Sequence, residues 1–279
     1  MPQEESPGDA LEELAKTYGK PGEPDYHNNL GTSYLAREDK LDAAIAEFRE
    51  AIRLRPSDEK FHCNLAIALV EQGGLEEALG EYQEALRLNS NDYHSHYSLG
   101  NLFSRMSRED EAIAEYQRAI EADPERPEAH FNLAARYMDR RRGTEAAAHY
   151  EKALARNLEP QAAVTAHLRL GAICTDGQEW EKAEKHLLAA AKIRPGDFMT
   201  NYCLALVYLK IDWGELNWAA RAKALVFAQK ALELEPEDED ARQVAMHALD
   251  AYEKLKPPEK AATGQPAAGK RSWWQFWKT

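Results

Sequence analysis

The sequence predicts an all-α fold made of stacked helix pairs, and two observations lead to this prediction. Apolar residues recur three and four positions apart, which is the period of amphipathic helices. This pattern also returns at a near-constant interval along most of the chain, which chance similarity does not produce. Residues 93–124 show the unit most clearly, as two amphipathic stretches separated by a short polar turn at 107–110.

The first half of the unit is marked by Leu99, Gly100 and Phe103. It recurs as Leu30-Gly31-Tyr34, Leu65-Ala66-Leu69, Leu133-Ala134-Tyr137, Leu170-Gly171-Cys174 and Leu204-Ala205-Tyr208. The second half, marked by Ala112, Tyr116 and Ala119, recurs as Ala44-Phe48-Ala51, Ala78-Tyr82-Ala85, Ala146-Tyr150-Ala153, Ala183-Leu187-Ala190 and Ala224-Ala228-Ala231. Successive marker leucines are 35, 34, 34, 37 and 34 residues apart, so the register is kept over six copies.

The small residues of each unit predict how the two helices pack. Glycine or alanine at positions such as Gly31 and Gly100 allows the first helix to approach the second closely. The aromatic residue of the second helix, such as Phe48 or Tyr116, is expected to fill the space at the junction with the next pair. Each pair therefore needs a neighbour to complete its core.

The spacing resembles the tetratricopeptide repeat (TPR) over roughly residues 24–236. The resemblance implies a right-handed α-solenoid of about six helix-turn-helix repeats with a C-terminal capping helix, acting as a non-catalytic scaffold or adaptor. We expect the following order along the chain: an acidic tail with a short helix at 1–23, repeats at 24–236, a capping helix at 237–256, a flexible linker at 257–270 and a Trp-rich amphipathic tail at 271–279.

Composition excludes several classes of function. A net charge of −13 and a pI near 5.2 argue against nucleic acid as a partner. Cys63, Cys174 and Cys203 fall in predicted first helices without disulfide or metal spacing, which favours a reducing compartment. No secretory signal and no apolar run of about 20 residues is visible. We therefore expect a cytoplasmic protein, either free or peripheral at a membrane.

The sequence shows no pattern of catalytic residues. It contains no phosphate-binding Gly-rich loop, no HExxH and no nucleophile motif, so we expect no enzyme activity and no cofactor. Five first helices share a histidine at one position: His27, His62, His96, His130 and His167. Packing is the favoured interpretation over a metal site, because stacked helices lie about 8–10 Å apart whereas zinc needs its donors at about 2 Å. A response to pH below about 6.5 stays open.

The resemblance also implies a concave groove lined by first-helix residues. Carried onto this sequence, the groove positions are Asn28, Thr32, Cys63, Ile67, Val70, Tyr97, Asn101, Phe131, Ala135, Met138, Leu168, Ala172, Tyr202 and Leu206. Some TPR co-chaperones hold a peptide carboxylate with lysine, asparagine and arginine, and here only Lys60, Asn64 and Asn101 match. The groove instead suits an amphipathic helix or an extended peptide with large apolar side chains. A chaperone-like assembly factor that shields apolar client segments is the alternative.

The tail is the clearest departure from the repeat pattern. Built as a helix, it gathers Trp273, Trp274, Phe276 and Trp277 on about 160° of arc, opposite Arg271 and Lys278. This composition suits weak contact with a membrane interface. It equally suits docking on a partner protein or self-association through the groove of a second copy. Trp213 and Trp218, in an inserted segment between the helices of the sixth repeat, fit no repeat position and offer a further contact surface or local cover.

Overall fold

The computed structural model describes residues 18–210 and 218–255, and this part of the chain is all-α with no strand. Its helices are α1 (Pro24–Leu35), α2 (Leu41–Leu54), α3 (Glu59–Gln72), α4 (Leu75–Leu88), α5 (Tyr93–Arg105), α6 (Glu109–Ala122), α7 (Pro127–Asp139), α8 (Gly143–Leu154), α9 (Pro160–Asp176), α10 (Trp180–Ile193), α11 (Phe198–Lys210), α12 (Trp218–Leu234) and α13 (Glu239–Leu255). A short 3₁₀ helix, Glu38–Lys40, joins α1 to α2. The predicted fold class, an all-α solenoid of TPR repeats, is confirmed.

Some of the sequence-based predictions lie outside the described residues. These are most of the N-terminal helix, Trp213, the linker and the tail residues Arg271 to Lys278. The packing of the described chain forms two compact units, of which the first ends at Ile173 and the second begins at Cys174.

In the first unit each helix from α1 to α7 packs on the next one along the chain. The pairs α1/α2, α3/α4, α5/α6 and α7/α8 have the most extensive contacts, and α2, α4 and α6 also pack on the first helix of the following pair. First helices touch one another as well, α1 against α3 and α3 against α5. This stacking places the first helices side by side, which positions the candidate groove.

The closest approach within a pair lies at the small residue of the first helix. A Cβ atom added to Gly31 would be 2.7 Å from Phe48 Cε1, and one added to Gly100 would be 2.7 Å from Tyr116 Cε1. Both rings are buried, with at most 2% exposed. Each ring therefore packs against the small residue of its own pair. The sequence-based interpretation named only the junction with the following pair and missed this contact.

The turns inside the pairs share one backbone geometry. The residue eight positions after the marker leucine has a positive φ, between 58° and 93°, at Gly73, Ser107, Arg141 and Gln178. The next backbone N–H donates to the carbonyl five residues earlier, for example Arg108 to Phe103 at 2.8 Å and Arg142 to Tyr137 at 2.9 Å. This is the Schellman closure of a helix C-terminus. The first pair has one extra residue here, and its 3₁₀ helix replaces this turn.

The histidine column pairs with the second helix of its own repeat in the first four repeats. Nδ1 of His27, His62 and His96 lies 2.6–2.7 Å from a carboxylate of Glu47, Glu81 and Glu115 respectively. Nε2 of His62 and His96 lies 3.1 Å from a backbone carbonyl oxygen. Carbonyl oxygens and ionised carboxylates only accept hydrogen bonds, so around His96 this arrangement favours donation from both ring nitrogens, which gives the ring a positive charge. Burial opposes this charge, yet hydrogen bonding to Glu115 and to the Ser90 carbonyl raises the pKa of His96 above its ordinary value.

The fourth pair replaces the glutamate by a second histidine. His130 Nδ1 lies 3.0 Å from His149 Nδ1, and the ring of Tyr137 lies 5.7 Å from that of His149. Burial, followed by the charges of His149, Arg156 and Lys152, lowers the pKa of His130 to about 4. Burial and Lys152 also lower the pKa of His149. The surroundings of His130 therefore favour its neutral form, whereas those of His96 favour its charged form.

The second unit contains three packed helices after α10. Helix α11 packs on α10 and α12, and α13 packs on α12 and α11. Helix α13 is capped by Asp238, whose carboxylate accepts from the Ala241 N–H at 2.7 Å, as expected for an acidic helix N-terminus. Trp218 begins α12 and is 46% exposed. Nowhere in residues 18–210 and 218–255 does a helix have the length and apolarity that crossing a membrane requires.

A glycine-to-alanine comparison tests the close approach in the helix pairs. Gly80, in the middle of α4, has no atom within 4 Å of an added Cβ, so Gly80→Ala should stabilise the protein by about 0.5–1 kcal/mol. Gly100→Ala gains the same helix propensity but forces the buried Tyr116 ring to move, and it should be destabilising by about 1 kcal/mol net. Urea unfolding of both variants measures the difference. Equal stabilisation by both substitutions would show that the packing at Gly100 is loose.

The two kinds of histidine pair predict opposite responses to pH. The low folded pKa of His130 gives a stability contribution that is complete above about pH 6.5 and decreases as the pH falls towards 4. The raised folded pKa of His96 gives a contribution that is complete below about 6.5 and is lost as the pH rises through the folded value. Between pH 7 and pH 5 the unfolding free energy should therefore decrease less in His149→Glu than in the wild type, by on the order of 1–2 kcal/mol. Urea unfolding at both pH values measures this difference. Glu115→His is the reverse control, and unchanged pH profiles in both variants would contradict the pairing.

Candidate peptide-binding groove

The candidate groove residues of the first unit lie on five first helices. They are Asn28 and Thr32 on α1, Cys63, Ile67 and Val70 on α3, Tyr97 and Asn101 on α5, Phe131, Ala135 and Met138 on α7, and Leu168 and Ala172 on α9. All of them except Cys63 keep part of their surface accessible. Tyr202 and Leu206 lie on α11 in the second unit and are described with that unit.

Cys63 differs from its neighbours at the groove positions because it is only 7% exposed. Burial raises the pKa of its thiol to about 11, so the thiol is neutral and unreactive at physiological pH. It offers little surface to a ligand and belongs to the core under the groove.

Amide and phenol groups form a hydrogen-bond network on α5 and α7. Asn132 Nδ2 donates to Asn101 Oδ1 at 2.9 Å and to the Tyr97 hydroxyl at 3.1 Å. The Tyr116 hydroxyl donates to the same Asn101 oxygen at 2.7 Å. Burial raises the pKa of Tyr116, so its hydroxyl remains a donor. The network links two neighbouring first helices through side chains that point between them.

A second amide contact links α1 to α3. Asn64 Nδ2 donates to Asn28 Oδ1 at 2.8 Å. Asn64 and Asn132 occupy the same position of their repeats, immediately before the marker leucine. Sequence reasoning did not place Asn132 in the site. The recurrence of asparagine at this position, which also holds Asn29, was the signal that could have found it.

Aromatic rings fix the middle of the groove. Tyr97 stacks on Tyr93 with ring centroids 5.8 Å apart and an interplanar angle of 6°, and it contacts Tyr116 at 6.1 Å. Phe131 meets Tyr150 edge to face at 5.6 Å. Because the supporting rings are buried, the partly exposed faces of Tyr97 and Phe131 are held in place before any ligand arrives.

The charged groups of the groove do not form a carboxylate clamp. Arg136 on α7 is engaged by Glu109 and Asp139, both at 3.2 Å. Of the three residues that match the clamp, Lys60 is exposed, Asn64 donates to Asn28, and Asn101 accepts from Tyr116 and Asn132. Neutral amides and aromatic rings therefore dominate the surface of the groove.

The groove position on α11 belongs to the second unit. Tyr202 stacks on Phe198 with centroids 5.8 Å apart and stays partly exposed. Burial, followed by the charges of Asp240 and Asp238, raises the pKa of Tyr202. Its side chain thus presents a neutral aromatic surface close to the acidic start of α13.

The chain belongs to the tetratricopeptide repeat family. Family models described as tetratricopeptide repeat match residues 63–127, 97–135 and 131–198, and a further TPR model matches 35–73. Together these matches extend over residues 35–198, which is more than half of the chain. Repeats of this family generally mediate protein interactions without catalysis.

Solved structures with the same fold include three TPR-containing proteins. Pseudomonas aeruginosa PilF is 20% identical with a TM-score of 0.64, covering 79% of this chain and 95% of that one. YrrB, described as a TPR protein with an unusual peptide-binding site, is 23% identical with a TM-score of 0.58, covering 74% and 97%. MamA from Desulfovibrio magneticus is 17% identical with a TM-score of 0.53, covering 62% and 95%. No curated protein sequence matches the chain.

Removal of Asn101 tests the amide network. Asn101→Ala removes the acceptor that the buried Tyr116 hydroxyl and Asn132 share, which leaves only the longer contacts of Tyr116 with Ser104 and of Asn132 with Tyr97, and should cost about 1–3 kcal/mol of unfolding free energy. Asn64→Ala is the matched control, because it breaks one partly exposed contact and should cost at most about 1 kcal/mol. Urea unfolding measures both values. An equal, small cost for the two variants would argue that the network does not hold α5 against α7.

Proposed function

We propose that this protein is a non-catalytic adaptor that holds an extended apolar or aromatic segment of a partner protein along the groove of its first unit. The observation that carries the proposal is the combination of fixed, partly exposed Tyr97 and Phe131 rings with the amide network beside them. Apolar surface supplies affinity, and a few placed polar groups supply orientation.

The amides favour an extended segment over a helix. An extended peptide presents its backbone N–H and C=O groups to its surroundings, whereas a helix satisfies them internally. No hydrogen bond among the described residues uses the Asn101 Nδ2 donors, and the surface around them is partly exposed. Asn101 can therefore donate to a peptide carbonyl while its oxygen remains engaged by Tyr116 and Asn132.

The proposal includes a location and a second attachment point. The free thiols of Cys63, Cys174 and Cys203 favour a reducing compartment such as the cytoplasm. The Trp-rich tail at 271–279 supplies a second docking element, for which a membrane interface is the alternative target.

Binding of many unrelated apolar sequences with similar affinity would favour the chaperone-like alternative over an adaptor.

Selection from a phage-displayed library of random 12-residue peptides tests the groove. The full chain should enrich peptides with large apolar side chains. The double variant Tyr97→Ala/Phe131→Ala should bind them at least 10-fold more weakly by fluorescence polarisation, because two truncated aromatic anchors each cost about 1 kcal/mol or more. Leu54→Ala is the control, since Leu54 is an exposed apolar side chain of α2, a second helix of the same unit. Equal affinity of the double variant and wild type would contradict the proposal.

A further inference from the structure

Exposed large apolar side chains are concentrated in the second unit. Among the described residues the first unit has one, Leu54, although it is the larger unit. The second unit has seven, namely Leu188, Ile193, Met199, Trp218, Val226, Leu234 and Met246. Isolated apolar residues on a surface need no explanation, but Leu188 and Val226 line one cleft, and a contiguous apolar surface marks a place that another group covers.

Part of this surface forms an open cleft of about 400 Å³. Its lining residues are Leu188 on α10, Tyr208 on α11, and Ala222, Lys223, Val226 and Phe227 on α12. The rings of Tyr208 and Phe227 stack at 5.8 Å with an interplanar angle of 7°, and Leu188 and Val226 are 39% and 48% exposed. The exposed lining is almost wholly apolar and suits flat aromatic groups.

The one cation in the cleft is already engaged. Lys223 Nζ lies 4.9 Å from the centre of the Tyr208 ring and 3.5 Å from Glu184 Oε1. The Tyr208 hydroxyl also donates to Glu184. These contacts neutralise the lysine, so the cleft does not attract an anionic ligand.

We propose that the cleft is the docking site for the Trp-rich tail, residues 271–279, of the same chain whenever no partner or membrane holds the tail. The tail contains Trp273, Trp274, Phe276 and Trp277, which matches the apolar lining. Residues 270–279 carry three cations and no acid, whereas the described residues of the second unit carry thirteen acidic and ten basic side chains. Chemistry and charge are thus both complementary.

The tail can reach the cleft from the end of α13. A short connection, residues 235–238, leads from α12 into α13, which packs back along α12, so Leu255 lies near the start of α12. Val226 is near the middle of α12, a helix of about 25 Å. Seventeen residues lie between Leu255 and Trp273, and a chain of that length can extend to at most roughly 60 Å, which exceeds the length of α12. The tether gives an effective concentration of about millimolar, so even a weak contact within one chain is well populated.

Photo-crosslinking in the full chain tests this site. Val226→p-benzoylphenylalanine places the reactive group in the cleft, and Met246→p-benzoylphenylalanine, 65% exposed on α13 and outside the cleft lining, is the control. Mass spectrometry should find residues 271–279 crosslinked to position 226 at least fivefold more than to position 246. Adding Trp274→Ala/Trp277→Ala should lower the yield at position 226 at least fivefold. Mixing isotope-labelled and unlabelled chains should give crosslinks within one chain.

Several results would overturn the proposal. Equal yields at positions 226 and 246 would show that the tail has no preference for the cleft. Crosslinks between labelled and unlabelled chains would assign the cleft to a second copy, and crosslinks from position 226 to residues 211–217 would assign it to the segment that contains Trp213. Tail-dependent flotation on vesicles of phosphatidylcholine and phosphatidylglycerol, without tail crosslinks at position 226, would assign the tail to a membrane. Tyr97→Ala/Phe131→Ala should leave the crosslink unchanged, so this test fails or succeeds independently of the peptide-binding groove.

Discussion

The first unit depends on the close approach of the two helices in each pair. At this contact a buried side chain of the second helix packs on a glycine or alanine of the first. At Gly31 and Gly100 the space left for a Cβ atom is already occupied by Phe48 and Tyr116. Because the ring occupies this space, it sets how closely the first helix can approach the second. The outward face of the first helix is fixed by the same contact. The packing of the core therefore determines the positions of groove residues such as Tyr97 and Asn101.

This dependence explains how far the sequence predicts the fold. Leucine, small residue and aromatic recur at intervals of 34–37 residues, and each of them has a packing role, so the pairs and their register could be read directly. The turns could not be predicted to the same degree. Ser107, Arg141 and Gln178 have positive φ values although only Gly73 is a residue type that favours them. There the geometry comes from the tertiary packing of the two helices and from the Schellman hydrogen bond.

The candidate groove could likewise be predicted from the sequence only in part. The apolar members Ile67, Phe131 and Met138 are partly exposed on first helices, as the periodicity predicts. The hydrogen bonds among Asn101, Asn132 and Tyr116 could not be predicted, because they join residues 15 and 31 positions apart whose distance depends on the stacking of α5, α6 and α7. Cys63 occupies a groove position by register yet is buried. The repeat register determines on which face of its helix a residue lies. The neighbouring side chains determine how much of that residue is exposed.

The histidine column illustrates why one position can carry two chemistries in one fold. His96 and His130 occupy equivalent sites and are equally shielded from solvent, at 6% and 2% exposure, so burial alone does not separate them. The difference is the residue opposite, Glu115 in one pair and His149 in the next, and it shifts the pKa of the buried ring upwards in His96 and downwards in His130. Both ring nitrogens of His96 have an oxygen partner, Glu115 and the Ser90 carbonyl, whereas His130 and His149 share one hydrogen bond between their Nδ1 atoms. Both arrangements fit the same helix spacing, so the solenoid can change its electrostatics from repeat to repeat without changing its packing.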